Sequence, residues 1–175
     1  MTRAARLLEK SEILMHLAGT PGSGKTTLLN QLSADHPEFV YRDLDSFFRW
    51  GDPDDSSTKR LSRIRKWIDR QKQPIIIAGT HADLLGNLPP IQKKYYLNTS
   101  ALTSALRANR RRRQWNKMDK VRPAPLLRRG KWIYQEYKQG RRDAKDLEKE
   151  GYIPKSYDQI RNEVAQFAKQ HKSRE

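Results

Sequence analysis

Gly19-Thr20-Pro21-Gly22-Ser23-Gly24-Lys25-Thr26 is the most distinctive stretch of this sequence, because it satisfies the phosphate-binding pattern G-x-x-x-x-G-K-[ST]. It follows the apolar run from Ile13 to Ala18 and leads into Thr27-Leu28-Leu29-Asn30-Gln31-Leu32, which has the composition of a helix. A strand before the motif and a helix after it are the context that the pattern requires. The sequence therefore predicts a P-loop at a strand–helix junction.

The chemistry of a triphosphate tail explains the residue types of this loop. Several backbone N–H groups must converge on the phosphates, and glycines allow the positive φ angles of such a loop, while a helix that begins near Lys25 adds its dipole and unpaired N–H groups. Lys25 is placed to reach the β- and γ-phosphates as a catalytic cation, and the Thr26 hydroxyl to coordinate Mg²⁺. We expect the nucleotide to contact Gly19, Thr20, Pro21, Gly22, Ser23, Gly24, Lys25, Thr26 and Thr27.

Length and composition limit the class of protein. With 175 residues, the chain has the size of one ordinary domain, and we expect residues 1–175 to form it. It has no cysteine, which excludes disulfides and cysteine-ligated zinc and fits a reducing compartment. We find neither a run of eighteen apolar residues nor the apolar core of a signal peptide, so we expect a soluble cytoplasmic protein without a membrane span.

The positive charge of the chain is concentrated in one segment. The net charge is +16, which points to a polyanionic partner or a strongly anionic substrate. Residues 110–143 hold thirteen lysines and arginines against three acids, a net charge of +10. We therefore expect most of the excess positive charge to lie in this segment.

The hydrophobic pattern predicts strands that alternate with helices. Strands are expected at 13–18, 39–45, 74–78 and 95–97, and helices at 3–10, 26–34, 58–71 and 100–114, the last capped by Ser100. Ser156 and Gln159 form a capping box that opens a final helix, and 151–154 is at best a short edge strand because of Pro154. This order predicts an α/β fold, a three-layer αβα sandwich with a mostly parallel sheet, and a basic helical lid-like insertion at 100–150.

The acidic residues of the motif region follow the second strand. Most P-loop hydrolases carry a second metal-site acid at the end of a buried strand, but the strand at 75–78 ends in Gly79-Thr80-His81. The nearest carboxylates at a strand end are Asp43 and Asp45. Because side chains alternate along a strand, a D-x-D pattern predicts that both carboxylates face the same site.

From the P-loop to Arg122-Pro123, the sequence resembles the P-loop small-molecule kinases, namely the nucleoside monophosphate kinases and shikimate-kinase-like enzymes. The resemblance covers about residues 13–127 and includes Asp43-Leu44-Asp45, Ile75-Ile76-Ile77-Ala78-Gly79-Thr80, and Tyr95-Tyr96-Leu97 before the arginine-rich helix. It implies Mg²⁺- and ATP-dependent transfer of the γ-phosphoryl group to a nucleotide, a nucleic-acid end or a small metabolite.

The same resemblance implies roles for individual residues. Asp43 lies near the metal with Thr26, and Asp45 lies near the acceptor, whose proton it takes. The mobile lid supplies arginines that neutralise the transferring phosphoryl group, and the candidates are Arg107, Arg110, Arg113 and Arg122, of which we select Arg110, Arg113 and Arg122. Neighbouring arginines on a helix point about 100° apart, so at most two of them can face one site.

Two other functions remain open from the sequence. A polynucleotide 5′-hydroxyl kinase, or a nucleic-acid-binding NTPase, would use the basic segment 110–142 and its aromatic residues Trp115, Trp132, Tyr134 and Tyr137 to hold a nucleic acid, although helix packing also explains these rings. Thr80-His81-Ala82-Asp83 resembles the base-recognition motif of Roc-type small GTPases. Asn116-Lys117-Met118-Asp119 also has a guanine-binding pattern, but it follows a helix instead of a strand.

Overall fold

The computed structural model describes residues 12–48, 55–79, 86–118 and 126–173 and shows an α/β fold. The strands are β1 (Ile13–Ala18), β2 (Val40–Asp43), β3 (Ile75–Ala78), β4 (Ile91–Leu97) and β5 (Ile153–Lys155). The helices are α1 (Lys25–Asp35), α2 (Ser57–Ile68), α3 (Ala101–Met118), α4 (Leu126–Lys149) and α5 (Tyr157–Lys172). The helix expected at 3–10 lies outside the described residues.

The five strands form one sheet in the order β2-β3-β1-β4-β5, and every neighbouring pair is parallel. The mostly parallel sheet expected from the alternating pattern is therefore confirmed. β1 lies in the centre and connects to β2 on one side, whereas its neighbour β4 connects to β5 on the other. The carboxyl ends of β1 and β4 thus meet at a topological switch point, where ligands of open α/β sheets bind.

Helices cover both faces of the sheet, so the fold has three layers. On one face α1 and α5 pack against β1, β3 and β4, with Leu28, Leu32, Ile160 and Val164 in the core. On the other face the core contains Ile64 and Ile68 of α2, with Leu147 of α4 packed against it. Both faces of the central strands are buried, which explains the continuous apolar runs in their sequences.

β2 is shorter than the sequence indicates. It ends at Asp43, and residues Leu44–Phe47 form a turn of 3₁₀ helix. The Asp43 carboxylate accepts a hydrogen bond from the Asp45 backbone N–H at 3.1 Å, and the Asp43 carbonyl accepts one from Ser46 Oγ at 2.6 Å. Such local bonds compete with strand pairing. The expectation that Asp43 and Asp45 extend from one strand is therefore wrong, because Asp45 lies in the turn.

β4 is longer than the sequence indicates, because it begins at Ile91 and not at Tyr95. Its first half contains Lys93 and Lys94, which weaken the apolar signal, but these residues pair in register with Met15 and His16 of β1. The pairing with a buried central strand keeps this half in the sheet. Backbone hydrogen bonding therefore extends β4 beyond its apolar part.

The predicted caps and edge strand are confirmed, whereas α2 ends at Ile68 and not at Gln71, and α3 continues past Gln114 to Met118. Ser100 Oγ accepts the Thr103 backbone N–H at the start of α3, and Ser156 and Gln159 form the capping box of α5. β5 is a three-residue edge strand that pairs with β4. None of the helices in the described ranges combines the length and the apolar composition that crossing a bilayer requires.

His16 is a fully buried polar residue in the middle of β1. Its Nδ1 lies 2.7 Å from the Tyr152 hydroxyl, which links the central strand to the loop before β5. Burial, together with the charges of Lys25 and Lys94, lowers the pKa of His16 from 6.5 to about 3. The imidazole is therefore neutral in the folded protein.

We predict that acid destabilises the protein through His16. Because the pKa of His16 is about 3 in the folded state and 6.5 without the fold, the unfolded chain binds the extra proton as the pH falls through this window. The free energy of unfolding should then fall by up to about 1.4 kcal/mol per pH unit. Urea unfolding at pH 7 and at about pH 5 measures this fall. His16→Gln should flatten it, and an equal pH dependence of variant and wild type would contradict the assignment.

We predict that burial decides the cost of truncating a leucine in the core between α1 and the sheet. Leu32 is fully buried, so Leu32→Ala should lower the free energy of unfolding by about 2–5 kcal/mol. Leu102 on α3 is 53% exposed, and Leu102→Ala is a control with the same chemical change that should cost less than about 0.5 kcal/mol. Chemical denaturation measures both, and equal losses would contradict this packing.

Candidate phosphate-binding site

The loop between β1 and α1 has the backbone conformation of an anion-binding loop. Gly22 and Gly24 have φ angles of +83° and +99°, a region that residues with side chains rarely adopt. The Ser23 N–H donates to the Thr20 carbonyl at 3.1 Å and closes a turn, and α1 begins at Lys25 directly after Gly24. The N-terminus of α1 therefore lies within the loop, where its unpaired N–H groups favour an anion.

Three helices hold the loop from outside. A Cβ at Gly22 would clash with the Ser104 carbonyl oxygen and lie 3.0 Å from the Ala108 nitrogen, so α3 contacts the loop backbone closely. The Tyr157 hydroxyl at the start of α5 donates to the Gly24 carbonyl at 2.6 Å. A Cβ at Gly140 of α4 would lie 3.4 Å from the Thr20 methyl group. The basic helices are thus in direct contact with the loop.

Lys25 lies under the loop with only 8% of its surface exposed. Its ammonium group donates to the Gly19 carbonyl at 2.6 Å and to the Thr20 carbonyl at 3.2 Å. Burial lowers the pKa of Lys25, the charges of Asp45 and Asp43 partly offset this effect, and Arg111 lowers the pKa further. The cation is therefore desolvated, and its charge acts strongly on any nearby anion.

Thr26 and Asp43 are in direct contact at the edge of the loop. Thr26 Oγ1 donates to Asp43 Oδ2 at 2.8 Å, so the first turn of α1 and the end of β2 meet there. The hydroxyl and carboxylate oxygens are the hard ligands that Mg²⁺ prefers, and this donor set fits that ion. Asp45 is half-buried, and its charge acts on Lys25 together with that of Asp43. Both carboxylates therefore act on Lys25, although the strand geometry expected for them is wrong.

The arginines of α3 differ in their relation to this site. Arg111 is close enough to act on the pKa of Lys25, and Arg107 acts on that of Tyr157, whose hydroxyl contacts the loop. Arg110 is exposed on α3. The side chain of Arg113 and the whole of Arg122 lie outside the described part of the structure. Sequence reasoning missed Arg111, because nothing in a run of four arginines indicates which one acts on Lys25.

The structure describes part of one guanine-recognition pattern and none of the other. Residues 80–83, which carry the Roc-type resemblance, lie outside the described residues. Asn116, Lys117 and Met118 are in the last turn of α3. The backbone there is helical, as the sequence context indicated, so these residues do not come after a strand.

Comparisons with known proteins give no assignment. No protein-family model matches the chain, and a search of curated proteins finds no relative.

We predict that Gly22 is required for the contact with α3 as well as for its backbone angle. Gly151 has the same φ of +83°, but a Cβ there meets no atom within 4 Å. Gly151→Ala should therefore cost only the conformational strain, about 1–2 kcal/mol. Gly22→Ala should cost at least about 1 kcal/mol more, because the methyl group displaces α3. Urea denaturation of the two variants gives the difference, and equal costs would show that α3 does not press on the loop.

Proposed function

We propose that this protein is a Mg²⁺- and ATP-dependent kinase that transfers a γ-phosphoryl group. The observation that carries the proposal is the loop between β1 and α1, in which glycines with positive φ surround the buried Lys25 ammonium group. A glycine loop, a helix N-terminus and a desolvated lysine form a site for the phosphates of a nucleoside triphosphate. The resemblance of the sequence to P-loop small-molecule kinases supports the same proposal.

In this proposal, the chain binds the nucleotide mainly through its backbone. The N–H groups of Gly22 and of residues 24–27 bind the phosphates, while the Ser23 N–H keeps its bond to the Thr20 carbonyl. Lys25 exchanges its bonds to the Gly19 and Thr20 carbonyls for bonds to phosphate oxygens. Those carbonyls are neutral, whereas a phosphate is an anion, so the exchange favours the bound nucleotide. Phosphoryl transfer needs mainly positioning and electrostatic stabilisation, and both come from groups that are already in place.

Thr26 and Asp43 are the residues that would hold Mg²⁺. When bound, the ion neutralises charge on the phosphate oxygens. Asp45 is the candidate to orient the accepting hydroxyl and take its proton, since it lies near Lys25 without forming part of the Thr26–Asp43 contact. Arg111 acts on the pKa of Lys25, and Arg107 acts on that of Tyr157. We therefore propose that these two residues, in addition to the sequence candidates Arg110, Arg113 and Arg122, neutralise charge on the transferring phosphoryl group.

The acceptor belongs to one of three classes: a nucleotide, a nucleic-acid end or a small metabolite. The charge of the chain favours an anionic acceptor in each case. A screen with labelled ATP should show faster ADP formation with one class, and Asp45→Asn should reduce only the acceptor-dependent rate. Flat turnover across nucleosides, nucleotides, shikimate-like acids and 5′-hydroxyl oligonucleotides would contradict the kinase proposal.

We predict that Lys25→Met reduces turnover at least about 100-fold, because it removes one preorganised charge from the transferring group. The fold should remain, since the substitution replaces a buried, desolvated cation with an apolar chain of similar length. Circular dichroism and urea denaturation check the fold, and labelled-ATP turnover checks the activity. Lys66→Met, at an exposed position of α2, is the control and should be fully active. Full activity of a folded Lys25→Met protein would refute the role of Lys25.

A further inference from the structure

The outward side of α4 carries a stripe of positive charge. From residue 131 to residue 145, every exposed charged side chain of this helix is a cation, and the set is Lys131, Lys138, Arg141, Arg142 and Lys145. An α-helix turns by about 100° and rises by about 1.5 Å per residue. These five side chains therefore lie within an arc of about 100° around the helix and span about 21 Å along its axis. We call them, together with Tyr134, the α4 cationic face.

The acids of this part of α4 lie on its other side. Glu136 and Asp143 are half-buried and point about 140–160° away from the centre of the α4 cationic face. Glu136 lies 4.0 Å from Arg112 of α3, and Asp143 accepts a hydrogen bond from Gln139 at 2.6 Å. Over residues 131–145 the helix therefore separates its charges, with the acids towards α3 and the cations towards solvent, and the exposed acids Asp146 and Glu148 follow in its last turn.

This separation is unfavourable for the helix alone. Lys138 has Arg141 three residues and Arg142 four residues further on, and Lys145 follows both at the same spacings. Like charges at these spacings destabilise a helix, whereas ordinary solvent faces mix both signs. A bound polyanion would remove the repulsion, so the arrangement has charge complementarity to a chain of phosphates.

Tyr134 indicates which polyanion fits. Its side chain is 55% exposed in the middle of the cations, and the Lys138 ammonium lies 5.2 Å from its ring centre. In contrast, Trp132 and Tyr137 are half-buried, as helix packing requires, with Arg112 and Arg141 against their rings. An exposed ring between cations is a platform on which an unpaired base can stack. A membrane-binding helix would present several large apolar side chains, and Tyr134 is the one that α4 exposes among its described residues.

We propose that the α4 cationic face binds single-stranded nucleic acid, with its phosphates on the cations and a base on Tyr134. This goes beyond the proposed phosphoryl transfer and does not depend on it. The inner side of α4 touches the phosphate-binding loop, since Gly140 packs against Thr20. A strand held on the outer side thus lies one helix diameter from the nucleotide site.

Fluorescence anisotropy with a labelled single-stranded 20-mer, in the absence of nucleotide, tests the proposal. The variant Lys138→Glu/Arg141→Glu/Lys145→Glu changes the net charge by the same amount as the control Lys59→Glu/Lys66→Glu/Arg70→Glu, whose exposed positions lie on α2 and in the turn that follows it. We expect the α4 variant to bind at least about tenfold more weakly than the control, and the slope of log K against log salt to decrease by about 2, since each lost phosphate contact contributes about 0.7.

Equal binding by the two triple variants would overturn the proposal, because net charge alone would then explain the affinity. Failure of the wild type to bind the 20-mer at 50 mM salt, or tighter binding to phosphatidylserine vesicles than to the 20-mer, would also overturn it. Circular dichroism checks that each variant folds, and Lys138→Gln/Arg141→Gln/Lys145→Gln is a milder replacement if a glutamate variant does not.

Tyr134→Ala separates base stacking from phosphate binding. It should weaken binding to the single strand about tenfold and leave binding to a duplex of the same sequence unchanged, because paired bases are not free to stack on the ring. Gln135→Ala, the exposed neighbour, is the control and should change neither. An equal effect of Tyr134→Ala on single strand and duplex, or no effect on either, would overturn the assignment to single strands.

Discussion

The buried ammonium group of Lys25 is the constraint on which the candidate site depends. A charge with so little access to water must be paired, and the loop satisfies it by turning the Gly19 and Thr20 carbonyls inward. The loop then reaches α1 through Gly22 and Gly24, both with positive φ angles. Since those glycines lack side chains, α3 and Tyr157 can approach the loop closely and hold its shape. The lysine, the glycines and the surrounding helices therefore form one interdependent unit.

The layered fold follows from patterns that are visible in the sequence. Strands buried on both faces have continuous apolar runs such as Ile75–Ala78, and Ser156 with Gln159 gives α5 its start. The boundaries that sequence reasoning missed depend on contacts between distant residues. The lysines of β4 belong to a strand because β1 pairs with them, and β2 ends where the Asp43 carboxylate binds the backbone of its own turn. Neither the start of β4 nor the end of β2 can be recognised from the composition of the neighbouring residues.

The candidate site, like the fold, could be predicted from the sequence only in part. The identity of the loop and of Lys25, Thr26 and Asp43 follows from the motif and from the order of strands, and the Thr26–Asp43 contact agrees with it. The choice among the arginines does not follow, because the rotation of α3 about its axis is set by its contact with Gly22 and by α4. Arg111, which none of the sequence patterns distinguishes, is the one that acts on Lys25 among the arginines that the structure describes. His16, buried in the middle of β1, also has no signature in a strand sequence.

The central claim is that the backbone amides of the loop bind the phosphates of a nucleoside triphosphate, and NMR of the ¹⁵N-labelled protein tests it most directly. Addition of Mg²⁺–ATP should shift the amide signals of Gly22 and of residues 24–27 in a saturable way, because phosphate oxygens replace water on those N–H groups, and distant amides on α2 should not move. Unchanged loop signals at millimolar Mg²⁺–ATP, or shifts confined to other parts of the chain, would contradict the account.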